Sequence, residues 1–238
     1  MTIEFKAKGS RGEIWLYDQI GASFWGDGMS AKAFQKELSA LGKVTSICVR
    51  INSPGGDVFD GFAIYNQLQQ HPAAIEVEVD GVAASIASII AMAADPGKLR
   101  MAKNALMMIH NPMGMAIGGE DEMQRVAALL RSVKGNLAAT YVDRTGNKRA
   151  DIDGWMDDET WFTADDAVQR GFADAVSTES AVTACFDPKP FRNVPAALMR
   201  RMQNANASAP AGADPSSDAI RRQRLHDQQQ RVAAMLQA

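Results

Sequence analysis

Three short stretches of this chain hold residue types that could do chemistry on a carbonyl. The first is Gly81-Val82-Ala83-Ala84-Ser85-Ile86-Ala87-Ser88. An alternating β-branched run over residues 75–79 leads into it, and a small-residue helical pattern over 86–94 leads out, so Ser85 stands where a strand becomes a helix. Small neighbours at 83 and 84 leave the hydroxyl reachable by a substrate, and the helix start adds partial positive charge that favours an oxyanion. A serine in that place is far more often a plain helix N-cap, so Ser85 alone does not define a nucleophile.

The second stretch is Asn52-Ser53-Pro54-Gly55-Gly56, which ends an apolar strand pattern abruptly. Paired glycines let the backbone approach a ligand and turn amide N–H groups toward it. In acyl transfer such amides hold the negative oxygen of the tetrahedral intermediate, each donor contributing about 3 kcal/mol. Pro-Gly-Gly by itself also suits an ordinary turn. The third stretch ends on His110, at the close of an apolar run over 105–109. Of the other two histidines, His71 lies in a Gln-Gln-His-Pro turn and His226 in a polar tail, which leaves His110 as the general base. A carboxylate to orient it could come from Asp157, Asp158 or Glu159, just before Trp161, and spacing does not choose among them.

The elements that must position these residues follow from periodicity. Residues 13–17 read as a strand, and Gly21 and the glycines at 26 and 28 as a turn region. A helix follows over 30–41, capped by Ser30, with Phe34, Leu38 and Leu41 on one face. A strand over 44–51, a helix over 57–70 and the strand over 75–79 complete a strand-helix alternation that argues for a mostly parallel sheet. Short runs at 98–101 and 105–109 read as paired strands around Lys103-Asn104. A Met- and Gly-rich loop over 112–119 precedes a long helix from Glu120 to about Thr145. A short acidic helix over 151–158 and an extended piece over 159–162 come next, then a helix from Ala164 capped by Thr163 and closed by Gly171.

Composition sets the frame. The 238 residues are 46% hydrophobic with a formal charge of −3, which gives no reason to expect nucleic acid or an acidic membrane as partner. Two cysteines, Cys48 and Cys185, exclude a disulfide framework or a cysteine-rich zinc site. No apolar run reaches the roughly 18 residues of a membrane span, and the N-terminus lacks a signal core, so a cytoplasmic protein is expected. Composition divides the chain into a domain over 1–183 and a Pro-, Ala- and Ser-rich tail over 184–238 expected to be disordered. Residues 219–236 carry weak apolar anchors for an amphipathic helix, and there is no internal repeat.

Taken together, Asn52-Ser53-Pro54-Gly55-Gly56, Gly81-Val82-Ala83-Ala84-Ser85 and Met107-Met108-Ile109-His110-Asn111-Pro112 resemble the ClpP peptidase family in order and approximate spacing. The resemblance covers about residues 12–176 and is nearest to the phage and prophage head maturation branch. It implies an α/β fold, the crotonase-like ββα spiral, with the long helix protruding as the handle through which rings of subunits stack. It implies Ser85 as nucleophile, His110 as base, and an oxyanion hole from the amides of Gly55 or Gly56 and of Ile86. Alignment on Trp161-Phe162-Thr163-Ala164 puts the usual triad aspartate at Glu159, one methylene longer, with Asp158 and Asp157 as rivals.

The implied activity is serine endopeptidase cleavage of capsid, portal or scaffold proteins by a ring-shaped homo-oligomer, in the host cytoplasm or an assembling prohead. It calls for no cofactor and no metal. The short lead-in to the first core strand argues against dependence on an ATP-driven unfoldase, and the tail past Thr183 suggests a scaffold-like remnant or a self-cleaved region. Two other readings use the same features. A crotonase-type acyl-CoA enzyme shares the fold and the amide hole but needs no serine at 85, and the chain shows no nucleotide-binding basic cluster. A catalytically inactive ring scaffold would accommodate the glutamate at 159 and the long tail.

Overall fold

The computed structural model describes residues 4–21, 28–178, 191–196 and 198–200. The expected turn at Gly26, Cys185, the self-cleavage site after Thr183 and the amphipathic stretch 219–236 lie outside them.

One eight-stranded sheet organises these residues. Strands β1 (Glu4–Lys8) and β2 (Arg11–Leu16) form an antiparallel hairpin at one edge. From β2 the order runs through β3 (Ser46–Ser53), β4 (Ala74–Ala84), β5 (Leu99–Ala102) and β8 (Ala175–Ser177), all parallel. Strand β6 (Leu106–Ile109) also runs parallel to β4, and β7 (Thr160–Thr163) closes antiparallel on β6. The sheet is mixed α/β and mostly parallel, as the alternation of patterns predicts.

One pairing differs from expectation. The runs at 98–101 and 105–109 do not pair with each other: β5 pairs Val77–Val79 of β4, and β6 pairs Val82–Ala84 further along the same strand. The reason is the length of β4. It runs eleven residues, straight through Asp80-Gly81 to Ala84, and so offers two successive stretches of edge to two short strands. The register with β3 shifts between Ile51 and Ser53, where the Asn52 side chain accepts the Val82 amide (3.2 Å) and bridges the irregularity.

The helices pack by their apolar faces. Helix α1 (Ala31–Ala40) is capped by Ser30, whose hydroxyl accepts from the Ala33 amide, and it buries Phe34 and Leu38. Helix α2 (Val58–Gln69) is capped by Asp57 and buries Gly61, Ile64 and Leu68. Helix α3 (Ile86–Ala91) is buried along its whole length. It approaches α2 closely because position 61 is glycine: a Cβ there would meet Ile86 Cγ1 at 2.1 Å. Helix α4 (Glu120–Thr145) matches the expected long helix, and its buried residues, Val133, Leu137, Ala138 and Tyr141, all lie in its C-terminal half. Helix α5 (Arg149–Asp157) leads into β7, and α6 (Ala164–Gln169) opens with a capping box between Thr163 and Asp166. No helix among the described residues is long and apolar enough to cross a membrane.

Residues 191–196 and 198–200 belong to the stretch that composition assigns to a disordered tail. They pack against the sheet instead, with Leu198 only 3% exposed among Val82, Ala84 and Met108.

Candidate active site

The backbone at Ser85 is the first indication of a site. Its φ of 55° and ψ of −130° are unusual for a residue with a side chain and mark a sharp, strained strand-to-helix turn. The turn is pinned from both sides. The Ser85 amide donates to Met108 O on β6 (3.0 Å), and Ser85 O accepts from Ser88 Oγ (2.6 Å). Ser88 Oγ is also bonded to the Tyr141 hydroxyl (2.8 Å), which ties the turn to α4. Complete burial pushes the Tyr141 phenol well above its ordinary range, so it stays a neutral hydrogen-bonding group.

The Ser85 side chain does not cap α3. Its Oγ lies 2.7 Å from His110 Nε2. The commonest role for a serine at a helix start is thus vacated, and the hydroxyl meets the one histidine at the end of β6. Strand β6 sets both partners, because it bonds the Ser85 amide through Met108 and delivers His110 one residue past its own end. Burial lowers the His110 pKa below the ordinary histidine value; the Glu159 charge opposes that effect and the Arg192 charge adds to it. A neutral imidazole at pH 7 has one nitrogen free to accept a proton.

The glycine segment stands beside this pair. Ser53 is fully buried, donates its hydroxyl to Asp18 O (2.7 Å) and accepts the Gly55 amide (3.2 Å). Gly55 has φ +92°, and a Cβ on it would meet Ala84 O at 2.6 Å, Ser85 Cβ at 2.7 Å and the Ile86 amide at 3.1 Å. The segment therefore lies against the Ser85 turn, close to the Ile86 N–H. Gly56 has φ +148° and sits against Ile20 O, where a Cβ would come within 2.0 Å. The Gly55 amide is committed to Ser53, whereas the Gly56 and Ile86 amides donate to no turn or loop partner among the described residues.

The three candidate carboxylates separate clearly. Asp157 is exposed, accepts from Asn111 Nδ2 (2.7 Å) and pairs with Lys134, contacts that lower its pKa. Asp158 is an exposed C-cap of α5. Glu159 is 2% exposed, has φ +49°, and is the one whose charge acts on His110. Its hydrogen bonds come from the backbone: Oε1 accepts from the Arg192 and Asn193 amides, both at 2.7 Å. No hydrogen bond joins Glu159 to His110 among the described residues.

Sequence reasoning missed two sets of participants. Ser88 and Tyr141 support the turn, and an i,i+3 serine pair on an otherwise apolar helix is the signal that could have flagged the first. Phe191, Arg192 and Asn193 reach the site from a proline-rich stretch, where no local pattern announces them.

Comparison with known proteins agrees with this geometry in placing the resemblance over the same region. ATP-dependent Clp protease proteolytic subunit 1 of Protochlamydia amoebophila is 35% identical over 147 residues, covering 61% of this chain and 70% of that relative. The Clp proteolytic subunit of Bacteroides fragilis strain ATCC 25285 is 31% identical over 153 residues, 63% of this chain and 74% of its own. Subunit 1 of Chlamydia muridarum is 31% identical over 147 residues, 61% and 76% respectively. A family model described as Clp protease matches residues 18–180, a span that holds the glycine segment, the Ser85 turn, His110 and Glu159. The chain belongs to the Clp protease family.

Proposed function

We propose that this protein is a serine endopeptidase with Ser85 as nucleophile, His110 as general base and Glu159 as the acid that supports His110. The observation that carries the reading is the 2.7 Å contact between Ser85 Oγ and His110 Nε2, made by a serine that caps no helix. His110 takes the hydroxyl proton as Ser85 Oγ attacks the peptide carbonyl. The oxyanion is held by the Ile86 amide and a glycine amide, Gly56 rather than Gly55 because Ser53 already holds the latter. His110 then returns the proton to the leaving amine, and water resolves the acyl-enzyme by the same relay in reverse. Glu159 is favoured over Asp157 and Asp158 by its burial and by its effect on His110.

Turnover of a fluorogenic peptide tests this directly. Ser85→Ala and His110→Ala are expected to abolish it while leaving the circular dichroism spectrum unchanged; full turnover by either variant would contradict the assignment.

We further propose that the substrates are proteins of phage capsid assembly, processed by a ring of identical subunits. Support comes from the likeness of the three motifs to the head maturation branch and from the long tail beyond the family match. Incubation with candidate scaffold, portal and capsid proteins should give Ser85-dependent fragments of at least one of them. The relatives above are named ATP-dependent. For this chain we propose cleavage without an unfoldase, so an unfolded protein such as casein should be degraded in the absence of ATP. Dependence on added ATP and a partner ATPase would refute that part.

A further inference from the structure

Residues 191–196 and 198–200 make the contacts that the catalytic reading leaves unexplained. Phe191 sets its ring edge-on to His110 (centroids 5.9 Å apart) and to Trp161 (5.6 Å). Arg192 and Asn193 give both their amides to Glu159 Oε1, and Arg192 Nε lies 3.9 Å from Oε2. The Asn193 side chain donates to Asp158 O (2.6 Å), fixing the same turn from outside. Seven residues after Phe191, Leu198 fills an apolar pocket formed by Val82, Ala84 and Met108, with Leu106, Trp161 and Val194 at its rim. Those three residues are the strand ends that hold Ser85: Val82 and Ala84 precede it, and Met108 O binds its amide. The pocket and the acid are therefore occupied together, by one stretch of chain.

We propose that Phe191, Arg192, Asn193 and Leu198 act as a latch in cis that holds the site in a low-activity arrangement. This inference rests on the Ser85–His110–Glu159 reading. With Leu198 seated, Glu159 accepts its hydrogen bonds from the segment, and none runs to His110. The imidazolium that forms during proton transfer is then opposed twice. Its acid partner is engaged elsewhere, and the Arg192 cation stands on its side of the site. The groups that face His110 are Ser85 from the turn after β4, Glu159 from the start of β7, and Phe191 and Arg192 from the segment. Release of the segment uncovers the imidazole, withdraws the arginine and frees the Glu159 carboxylate to accept from His110 Nδ1. Ser85 itself is half-buried and no hydrogen bond joins it to the segment among the described residues, so the latch acts on the base and its acid.

The test uses the full-length chain with Leu198→Asp, which places a charge in the apolar pocket, and Leu198→Met, which keeps it filled. Asn193→Pro serves as a second route, since it removes an amide donor to Glu159 without touching the pocket. Two quantities are read: the rate of Ser85 labelling by a fluorophosphonate, and the His110 titration followed by imidazole NMR. Leu198→Asp and Asn193→Pro are expected to label about tenfold faster or more, the value of one hydrogen bond to a charged group. Their His110 titration should move upward, while Leu198→Met matches the wild type. Labelling as slow as the wild type or slower in both released variants overturns the latch, as does an unmoved His110 titration. If no form is labelled, the Ser85 reading fails on its own, and the NMR titration still decides whether the segment acts on His110.

Discussion

At the scale of single residues, the site depends on atoms that are absent as much as on those present. Gly55 lies so close to Ala84 O and Ser85 Cβ that any side chain would push the turn out of place, and its φ of +92° adds strain for any other residue. Gly55→Ala should therefore lower kcat/KM about 100-fold or more by displacing the Ile86 amide, the usual cost of disturbing one oxyanion donor. The check is steady-state peptide hydrolysis with the fold monitored by circular dichroism; activity within a few-fold of wild type would count against the placement. The histidine gives a second residue-level prediction. Because burial lowers its pKa, the acid limb of the pH profile of kcat/KM should fall below the ordinary histidine value of about 6.5. The Glu159 charge raises that pKa, so Glu159→Gln should move the limb to still lower pH as well as slow the reaction. A limb that moves upward would exclude Glu159 as the acid acting on His110.

At the scale of elements, α3 and β6 hold the geometry, and their anchors are testable. Ser88 and Tyr141 share a buried hydrogen bond, and Tyr141→Phe leaves Ser88 with its bond to Ser85 O alone. The loss should be about 1 kcal/mol in urea unfolding, with little change in kcat. Gly61→Val sets a branched side chain against Ile86 and should cost more, about 1–3 kcal/mol, because α3 is buried along its whole length and has no room to move away.

Much of this level is legible in the sequence. The caps at Ser30 and Thr163, the strand ending at the Asn52–Gly56 segment, and the long helix from Glu120 all follow local rules of capping and period. Strand pairing is not local. The runs around Lys103-Asn104 have the look of a hairpin, and only the full length of β4 explains why each joins that strand instead. The site is legible to the same degree. Ser85, His110 and the glycines announce themselves by type and spacing. The partner of the acid does not, because it arrives from residue 191 onward in a proline-rich stretch whose two anchors, Phe191 and Leu198, are too sparse to form a period.

For the whole molecule, alternation along β3, β4 and β5 sets Arg50, Glu78, Asp80 and Arg100 on one side of the sheet, opposite the apolar Val49, Val77, Val79 and Met101. Arg50 pairs with the buried Asp80 at 2.5 Å, Tyr17 donates to the same carboxylate, and Arg100 reaches Glu78. Asp80→Ala removes the buried carboxylate that holds both the part-exposed Arg50 and the Tyr17 hydroxyl, so it should destabilise the fold by about 1–3 kcal/mol in urea unfolding. Away from the sheet, Met113, Met115, Ile117, Met123 and Leu129 stand exposed on the loop before α4 and on its first half. A surface of that kind is expected to be covered in an assembly of subunits. Leu129→Glu should then shift the protein toward smaller species in size-exclusion chromatography with light scattering, and an unchanged mass would remove this surface from the assembly.

The central claim is that Ser85 is the nucleophile activated by His110. It is tested most directly by treating the full-length protein with a fluorophosphonate and mapping the modified peptide by mass spectrometry. The account predicts a single adduct on Ser85, absent in Ser85→Ala and strongly slowed in His110→Ala. Equal labelling of Ser85→Ala, or an adduct on another residue, would contradict it.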